Sequence, residues 1–383
     1  MKRFRAAALI ALAASLLWGA GGRRKLWDLD LSKFVNHQKH MVSQVWGIRF
    51  SPDESKVAVG FGPDPYADHS PRHVVVVAVD QPQVALREFE LSTTEVIFPS
   101  GSTVVWSPSG AILVARFQTP IMFRLDAEAP CVFPKESEFG GFLSQDRMVV
   151  FLRRPDLPTE IRILKPDCTL ADSWQTTAQH LLDTSPELDS LAVETQLKPP
   201  EHSAIELVAS RTHEVHQRWI WDLDASSRGG FLFSIQGSLV CSANHREGKR
   251  DPDVACWDTQ TGAKTAENDK VTVNKWAVQS TGGDLLALTD YKYTWHHSWL
   301  KDLLQIDYSM VTSAPRRQLI WNVRTGKEAA SWGMEGLQQE LLWGTDPRNP
   351  RTIKTDFVLS LSPTGRYFAE GGSGSVSAYA VQP

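Results

Sequence analysis

Alternating apolar and polar residues, interrupted by tight turns, recur along the chain and predict β-strands throughout. The clearest unit covers residues 47–60, where an apolar run ends at Ser51 and a second apolar run begins after the turn. Pro52 presets the backbone for the first corner of that turn, and the Asp that follows favours its completion. Similar units occur at residues 104–115 and 358–369. Weaker copies lie between them, at residues 141–146, 182–187, 232–237 and 278–284.

The spacing of these seven copies predicts the architecture. Their turn serines stand at positions 51, 107, 144, 185, 234, 280 and 362. The shorter intervals match a four-stranded propeller blade of about 40 to 45 residues. Further pairs of strands follow the hairpins, most clearly at residues 254–264 and 319–328. We therefore expect an all-β fold, a seven-bladed β-propeller of four-stranded antiparallel blades over residues 23–383.

Two hairpin motifs resemble those of a known family. Ser-Pro turns at Ser51, Ser107 and Ser362 are combined with Trp-Asp/Asn-x-x-Thr-Gly hairpins at Trp257 and Trp321. Together they resemble WD40 repeats, and equally the related blades of TolB-type propellers, over nearly all of the chain after residue 40. The resemblance implies a fold and little about function. The chain has no Gly-His dipeptide, so the usual Asp-His-Ser-Trp hydrogen-bond network of WD40 blades is not expected.

The two ends of the chain are predicted to meet. Residues 26–31 alternate like a strand before the first blade, and the last blade, residues 357–381, supplies only three strands. An N-terminal strand that completes this blade would close the ring and cover an otherwise open sheet edge.

Long connections are predicted on one face of the ring. Blade six carries insertions at residues 293–315 and 333–354, each with a short amphipathic helix, at 299–304 and 337–343. The longest connections fall between second and third strands or between blades, which open on the same face. Such a face is typical of a binding surface, although long loops are also tolerated without a function.

Composition and charge exclude some partners. The formal charge of −4 and the pI of about 6.3 provide no general attraction to nucleic acid. The 14 Trp residues are expected to pack between blades.

Residues 1–22 are typical of a signal peptide or an uncleaved membrane anchor. Lys2, Arg3 and Arg5 precede a short apolar run, and small residues follow at 19–22. Trp18 is unfavourable next to a cleavage site, which leaves the anchor as the alternative. A periplasmic or extracellular protein is expected, in contact with a membrane only through this segment if it is not cleaved.

The four cysteines suggest one disulfide. Cys241 and Cys256 fall on successive strands of blade five and are expected either as a disulfide or as two buried thiols. Cys131 and Cys168 are assigned to equivalent turns of neighbouring blades, which predicts that they are apart.

Three clusters are candidate binding sites. One loop contains Asp64, His69 and His73, which could hold a metal but more simply form a solvated tip. Another loop contains Arg246 and Arg250, a basic patch that could meet an anion. The third cluster is aromatic and imidazole-rich, which suits either a binding hot spot or anchoring of the insertion. Its residues are Trp295, His296, His297 and Trp299.

The favoured function is a noncatalytic protein-interaction or scaffold propeller of the cell envelope, which binds a protein partner through the face with long loops. The alternative is a propeller enzyme, a metal-dependent lactonase or other hydrolase with its site at the channel mouth. A propeller that binds an envelope sugar or peptide is a third class. No motif calls for a cofactor, and no metal site is assigned.

Overall fold

The computed structural model describes seven four-stranded antiparallel sheets. It describes residues 23–34, 44–62, 72–91, 104–116, 120–127, 130–134, 136–154, 158–196, 203–221, 232–236, 239–243, 254–268, 270–271, 279–280, 284–296, 310–333, 358–372 and 374–381. The N-terminal segment 1–22 and the predicted helices at 299–304 and 337–343 lie outside these residues.

The chain enters the ring through strand β1 (Arg23–Asp30) and a 3-10 helix (Leu31–Phe34). Blade one contains β2 (Gln44–Phe50), β3 (Lys56–Gly62), β4 (Arg72–Ala78) and β5 (Ala85–Leu91). Blade two contains β6 (Val104–Trp106), β7 (Ile112–Ala115), β8 (Ile121–Arg124) and β9 (Cys131–Val132). Blade three contains β10 (Ser137–Phe142), a 3-10 turn (Ser144–Asp146), β11 (Met148–Leu152), β12 (Thr159–Leu164) and β13 (Leu170–Thr176).

The remaining blades repeat this order. Blade four contains β14 (Ala178–Ser185), β15 (Ser190–Gln196), β16 (Ser203–Ala209) and β17 (Val215–Trp221). Blade five contains β18 (Leu232–Gln236), β19 (Leu239–Ala243), β20 (Val254–Asp258) and β21 (Lys264–Asn268). Blade six contains β22 (Gln279–Ser280), β23 (Leu285–His296), β24 (Met310–Asn322) and β25 (Lys327–Gly333). Blade seven begins with β26 (Val358–Leu361), β27 (Tyr367–Gly371) and β28 (Ser375–Val381).

Strand β1 is the fourth strand of blade seven, so the predicted ring closure is confirmed. The sheet order is β1-β28-β27-β26, and Leu29 pairs with Val376. The strand begins at Arg23, earlier than the sequence pattern indicated, and Arg23 forms a salt bridge with Glu370. Leu29 and Leu31 are completely buried. The first described strand therefore holds the last blade through both backbone pairing and core packing.

The hydrophobic core lies between neighbouring blades. Strand β4 is buried on both faces, as its apolar sequence predicts, and Val75 and Val76 belong to clusters on opposite sides of the sheet. Trp106 packs in the cluster between blades one and two, and Trp321 in the cluster between blades five and six. The Trp106 indole also donates to the backbone oxygen of Arg49 at 3.0 Å. These buried tryptophans are packing residues, as expected.

The turn serine recurs because its hydroxyl stabilises the hairpin. Ser51 accepts from the backbone N–H of Lys56 at 3.0 Å while its own N–H donates to the Lys56 carbonyl at 2.9 Å. The same arrangement joins Ser107 to Ile112 and Ser362 to Tyr367. Each side chain replaces a backbone partner at the end of the ladder. The assignment of Ser234 as a turn serine is wrong, since it lies inside β18.

The first insertion of blade six begins and ends as strand. Residues 291–296 pair with residues 310–315, as continuations of β23 and β24 beyond the blade. We call this two-stranded extension the ribbon. Its sequence explains it, because Tyr291, Tyr293 and Trp295 alternate with polar residues and aromatic side chains favour strands. The insertion predicted at 293–315 thus contains most of the ribbon, and the connection between the two ribbon strands is residues 297–309.

Candidate functional site

The two faces of the ring differ in the length of their connections. Turns between first and second strands and between third and fourth strands open on one face, and none exceeds the six residues that separate β4 from β5. On the opposite face the connections include residues 63–71, 222–231, 244–253, 297–309 and 334–357. We call these the short-loop and long-loop faces.

The ribbon projects from the long-loop face. Its register runs from Tyr291 opposite Pro315 to His296 opposite Met310. At a rise of roughly 3.3 Å per residue it extends about 20 Å beyond the blade. Among the predicted site residues, Trp295 and His296 lie on this ribbon, while His297 and Trp299 lie outside the described residues. The ribbon is the most prominent described feature of either face.

Buried polar contacts fix the base of the ribbon. The Asp290 side chain is only 3% exposed and accepts from Arg316 at 2.5 Å and from Arg317 at 3.2 Å. Next to it, the Thr289 hydroxyl donates to the Gln318 side-chain oxygen at 2.6 Å. The charge-assisted contacts hold the strands together where their register shifts.

His73 is the described member of the first candidate loop. Its ring stacks on Phe61 with 5.5 Å between centroids, and burial lowers its pKa against the opposing influence of Glu90 and Glu88. This is the environment of a packed side chain. Asp64 and His69, and likewise Arg246 and Arg250, lie outside the described residues.

The channel contains charged residues that sequence reasoning missed. Arg49 on β2 and Asp183 on β14 belong to the innermost strands, and Arg116 follows β7. Burial lowers the pKa of Arg49 to about 10, an effect that Asp183 opposes and Arg116 reinforces. Burial also lowers the pKa of Arg116, against Glu138 and Asp183. For Arg49, a charge within a largely apolar innermost strand is the signal that could have identified it.

Both pairs of cysteines are disulfides. Cys241 and Cys256 are bonded across adjacent strands β19 and β20, with Cα atoms 4.1 Å apart. Cys131 and Cys168 are also bonded, so the expectation that they lie apart is wrong. Cys131 is on the outermost strand of blade two rather than in a turn, and there it meets the third turn of blade three.

One cleft opens on the short-loop face between blades two and three. Its volume is about 480 Å³, and both acidic and basic side chains line it. Arg124 pairs with Asp126 at 2.8 Å, and Arg147 pairs with Asp189. Both of these lining arginines are therefore already paired with a carboxylate.

Metal-binding clusters and membrane-spanning helices are both absent from the described part of the chain. No group of three or more His, Cys, Asp or Glu side chains there is arranged to hold a metal ion. The same residues include no helix of the length and apolar character needed to cross a membrane.

Comparison with solved structures identifies the fold. A chain of the mitotic checkpoint complex is similar with a TM-score of 0.54 and 13% identity, over 95% of this chain and 94% of that chain. The Cps50 (Swd1) β-propeller domain of Myceliophteria thermophila is similar with a TM-score of 0.51 and 11% identity, over 94% of this chain and 100% of that chain. No protein-family model and no curated protein matches the sequence. The chain thus has the fold of a WD40-like, seven-bladed β-propeller.

Proposed function

We propose that this propeller is a noncatalytic protein-interaction module that binds a protein partner through its long-loop face. The ribbon carries this proposal. It places two paired strands about 20 Å beyond the blade, on the face where the longest connections also open. Asp290 anchors its base, so an interaction along the ribbon would be transmitted to a rigid blade.

The structural neighbours support a role in assembly. One belongs to the mitotic checkpoint complex, and the other is the propeller domain of Cps50 (Swd1). Propellers commonly present connecting loops around the channel for binding. For this chain, a protein partner agrees with the balanced net charge, which favours no polyanion.

Export to the periplasm or cell surface is part of the proposal. Lys2, Arg3 and Arg5 followed by an apolar run are typical of a secretory signal. All four cysteines are paired in two disulfides, which suits an oxidising compartment. Fractionation with mass spectrometry of the mature N-terminus tests this: cleavage near residue 22 is expected, and an intact protein in the cytoplasm would contradict it.

Photo-crosslinking tests the binding face. A crosslinking residue replaces Lys292 on the ribbon, and in matched variants it replaces Val84 or Thr169 in turns of the short-loop face. In the native compartment we expect one defined crosslinked partner from the ribbon position and none from the two control positions.

A second variant tests whether the ribbon is required. Replacement of residues 294–312 by a short Gly-Ser turn keeps the blade portions of β23 and β24. The shortened protein should fold with an unchanged unfolding midpoint and lose the partner identified by crosslinking. Equal crosslinking from both faces, or full retention of that partner by the shortened protein, would refute the proposed surface.

A further inference from the structure

The two disulfides lie in different environments. Cys241 and Cys256 join adjacent strands inside the core between blades five and six, where they are 3% and 0% exposed. Cys131 and Cys168 are only partly buried and pack against the core between blades two and three. A thiol reductant must reach a sulfur atom before it can open a disulfide. The disulfide between blades two and three is therefore the more accessible one in the folded protein.

Cys168 occupies a turn position that holds glycine in other blades. It is the last residue of the third turn of blade three, and its φ angle is 66°. At the same position of blades five and six, Gly262 and Gly326 have φ angles of 71° and 66°. A residue with a side chain has a conformational cost in this left-handed region. In blade three that cost accompanies a covalent bond to the preceding blade.

The turn that carries Cys168 is held by its own hydrogen bonds. The backbone N–H of Lys165 donates to the Thr169 carbonyl at 2.8 Å, and the N–H of Cys168 donates to the Lys165 carbonyl at 2.9 Å. The Asp167 carboxylate accepts from the Thr169 hydroxyl at 2.6 Å. These contacts lie within five residues of chain, so the turn should keep its shape when the disulfide is opened.

The strand that carries Cys131 is held by few contacts. Strand β9 contains two residues, pairs with β8 at two positions and is the outermost strand of its sheet. The residue after it, Phe133, has a buried ring and donates its N–H to the Pro120 carbonyl at 3.3 Å. Short segments at an edge open with less free energy than the core does. The disulfide is thus a large part of what holds β9 in place.

We infer that the Cys131–Cys168 disulfide is a reducible latch between blades two and three. A dithiol reductant opens it in the folded protein, ahead of the Cys241–Cys256 disulfide, and releases β9 while the turn and the rest of the ring stay folded. The outer edge of β8 then loses its neighbour, and an edge of this kind can pair with an added strand. The inference is independent of the proposed use of the long-loop face.

The exchange is balanced by the dithiol. One of its thiolates bonds to a sulfur atom of the disulfide, and the other cysteine leaves as a thiolate that takes up a proton. The second thiol of the reductant then displaces the first cysteine and closes the reductant's own disulfide. Two electrons and two protons pass to the protein, which gains two free thiols.

Timed reduction of the full protein tests the order of opening. Dithiothreitol is added in native buffer, samples are quenched with iodoacetamide, and peptide mass spectrometry follows each cysteine. Cys131 and Cys168 should be alkylated at least about tenfold faster than Cys241 and Cys256, since their release needs only a local opening. The circular dichroism spectrum should not change meanwhile. Reduction of both disulfides together, at the rate of global unfolding, would overturn the inference.

Hydrogen exchange tests the release of β9. Selective reduction should accelerate exchange at residues 120–124 and 130–134 and leave blade five unchanged. Exchange that stays as slow as in the oxidised protein would show that the disulfide can be reduced but is no latch.

Two double variants serve as matched controls. Cys131→Ser with Cys168→Ser should show the fast exchange without reductant, and dithiothreitol should not increase it further in these segments. Cys241→Ser with Cys256→Ser should keep exchange at residues 130–134 slow until reductant is added. If the first variant fails to fold, exchange in the selectively reduced wild-type protein decides. If it folds and exchanges as slowly as the oxidised wild type, β9 does not depend on the disulfide and the inference is refuted.

Discussion

The carboxylate of Glu54, in the first blade, lies 2.7 Å from the guanidinium of Arg366, in the last blade. The Glu54 side chain is 3% exposed although it is part of a hairpin turn. It also accepts from the backbone N–H of Thr364 at 2.7 Å and from its hydroxyl at 2.6 Å. One acidic residue therefore joins the turns of two blades that are neighbours in the ring and distant in sequence.

An acidic turn residue also joins neighbouring blades at two other junctions. Glu54, Asp146 and Asp189 have φ angles of 58°, 57° and 52°, in the left-handed region that usually favours glycine. Blades two and seven have Gly110 and Gly365 in this region of the turn. Each carboxylate accepts hydrogen bonds from the turn of the preceding blade: Glu54 from Thr364, Asp146 from Ser109, and Asp189 from Ser144. The conformational cost of a positive φ at these non-glycine residues is offset by the hydrogen bonds that they accept from the neighbouring blade.

Glu54→Gln should destabilise the ring at its closing junction. Glutamine keeps the shape but loses the charge that Arg366 and Thr364 bind, so a loss of about 1.5–3 kcal/mol in the free energy of unfolding is expected. Urea denaturation measures it. Asp126→Asn, in the exposed Arg124 pair, is the control and should leave the midpoint unchanged. Equal effects of the two substitutions would show that the junction contributes nothing special.

Stability should fall on acidification. Burial opposes ionisation of Glu54 and Asp189, but hydrogen bonds from Thr364 and Ser362 to the former, and from Ser144 and Arg147 to the latter, hold both pKa values below their usual 4.5 and 3.8. As the pH falls through these usual values the unfolded chain takes up protons first, which favours unfolding.

The corresponding measurement is the unfolding midpoint as a function of pH. The stabilising contribution is complete above about pH 5 and declines progressively below it. Glu54→Gln should show a shallower decline than the wild-type protein, because it lacks one of the two groups. Parallel curves for the two proteins would contradict the assignment to Glu54.

The hairpins and the ring closure were predictable because their causes are local. Ser51 and Pro52 determine their turn through contacts within six residues of chain. The N-terminal sequence predicts one unpartnered strand, and the last blade lacks one strand. Pairing the two completes the blade, and the pairing of Leu29 with Val376 confirms this prediction.

The remaining features depend on how blades meet. Cys168 reaches Cys131 only because the third turn of blade three packs beside the outermost strand of the preceding blade. Arg49 lies in a repeat that was recognised, but its channel position follows from the ring and not from the hairpin. The sequence predicts the ribbon only as part of an insertion, because its strand character is visible in no more than the short alternation of Tyr291, Tyr293 and Trp295 with polar residues.

The disulfide between blades two and three should contribute more to the free energy of unfolding than the disulfide within blade five. Cys131 and Cys168 are separated by 37 residues and Cys241 and Cys256 by 15. The longer loop loses more entropy when it is closed in the unfolded chain, and each bond should contribute about 2–4 kcal/mol. Urea denaturation of the two double Cys→Ser variants checks the order, and non-reducing peptide mapping checks the pairing. Free thiols at Cys131 and Cys168 in the native protein would contradict it.

The N-terminal strand should be indispensable for solubility. A protein that starts at Ser32 lacks β1, leaves the edge of β28 unpaired and removes the buried Leu29, so aggregation is expected. A protein that starts at Arg23 is the matched control and should remain monodisperse. Leu29→Ala should cost about 2–5 kcal/mol. Size-exclusion chromatography and thermal unfolding measure both effects, and a soluble, equally stable protein starting at Ser32 would rule out the closure by β1.

Loss of the Asp290 charge at the base of the ribbon should affect the ribbon more than the rest of the protein. Asp290→Asn removes the buried charge that Arg316 and Arg317 bind, and Arg316 is 60% exposed, so its guanidinium can return to water. We therefore expect a modest global loss of about 1–3 kcal/mol and a larger effect on the ribbon. Hydrogen exchange should become faster at residues 291–296 and 310–315 and stay unchanged in the other blades.

Asp284→Asn is the matched control, because Asp284 binds Arg324 at the other end of the same two strands. It should leave exchange in the ribbon unchanged. If Asp290→Asn instead accelerated exchange throughout blade six, the ribbon and the blade would be one cooperative unit. In that case the shortened ribbon variant would also lose stability, and its loss of a partner would have to be judged against Asp290→Asn at equal stability.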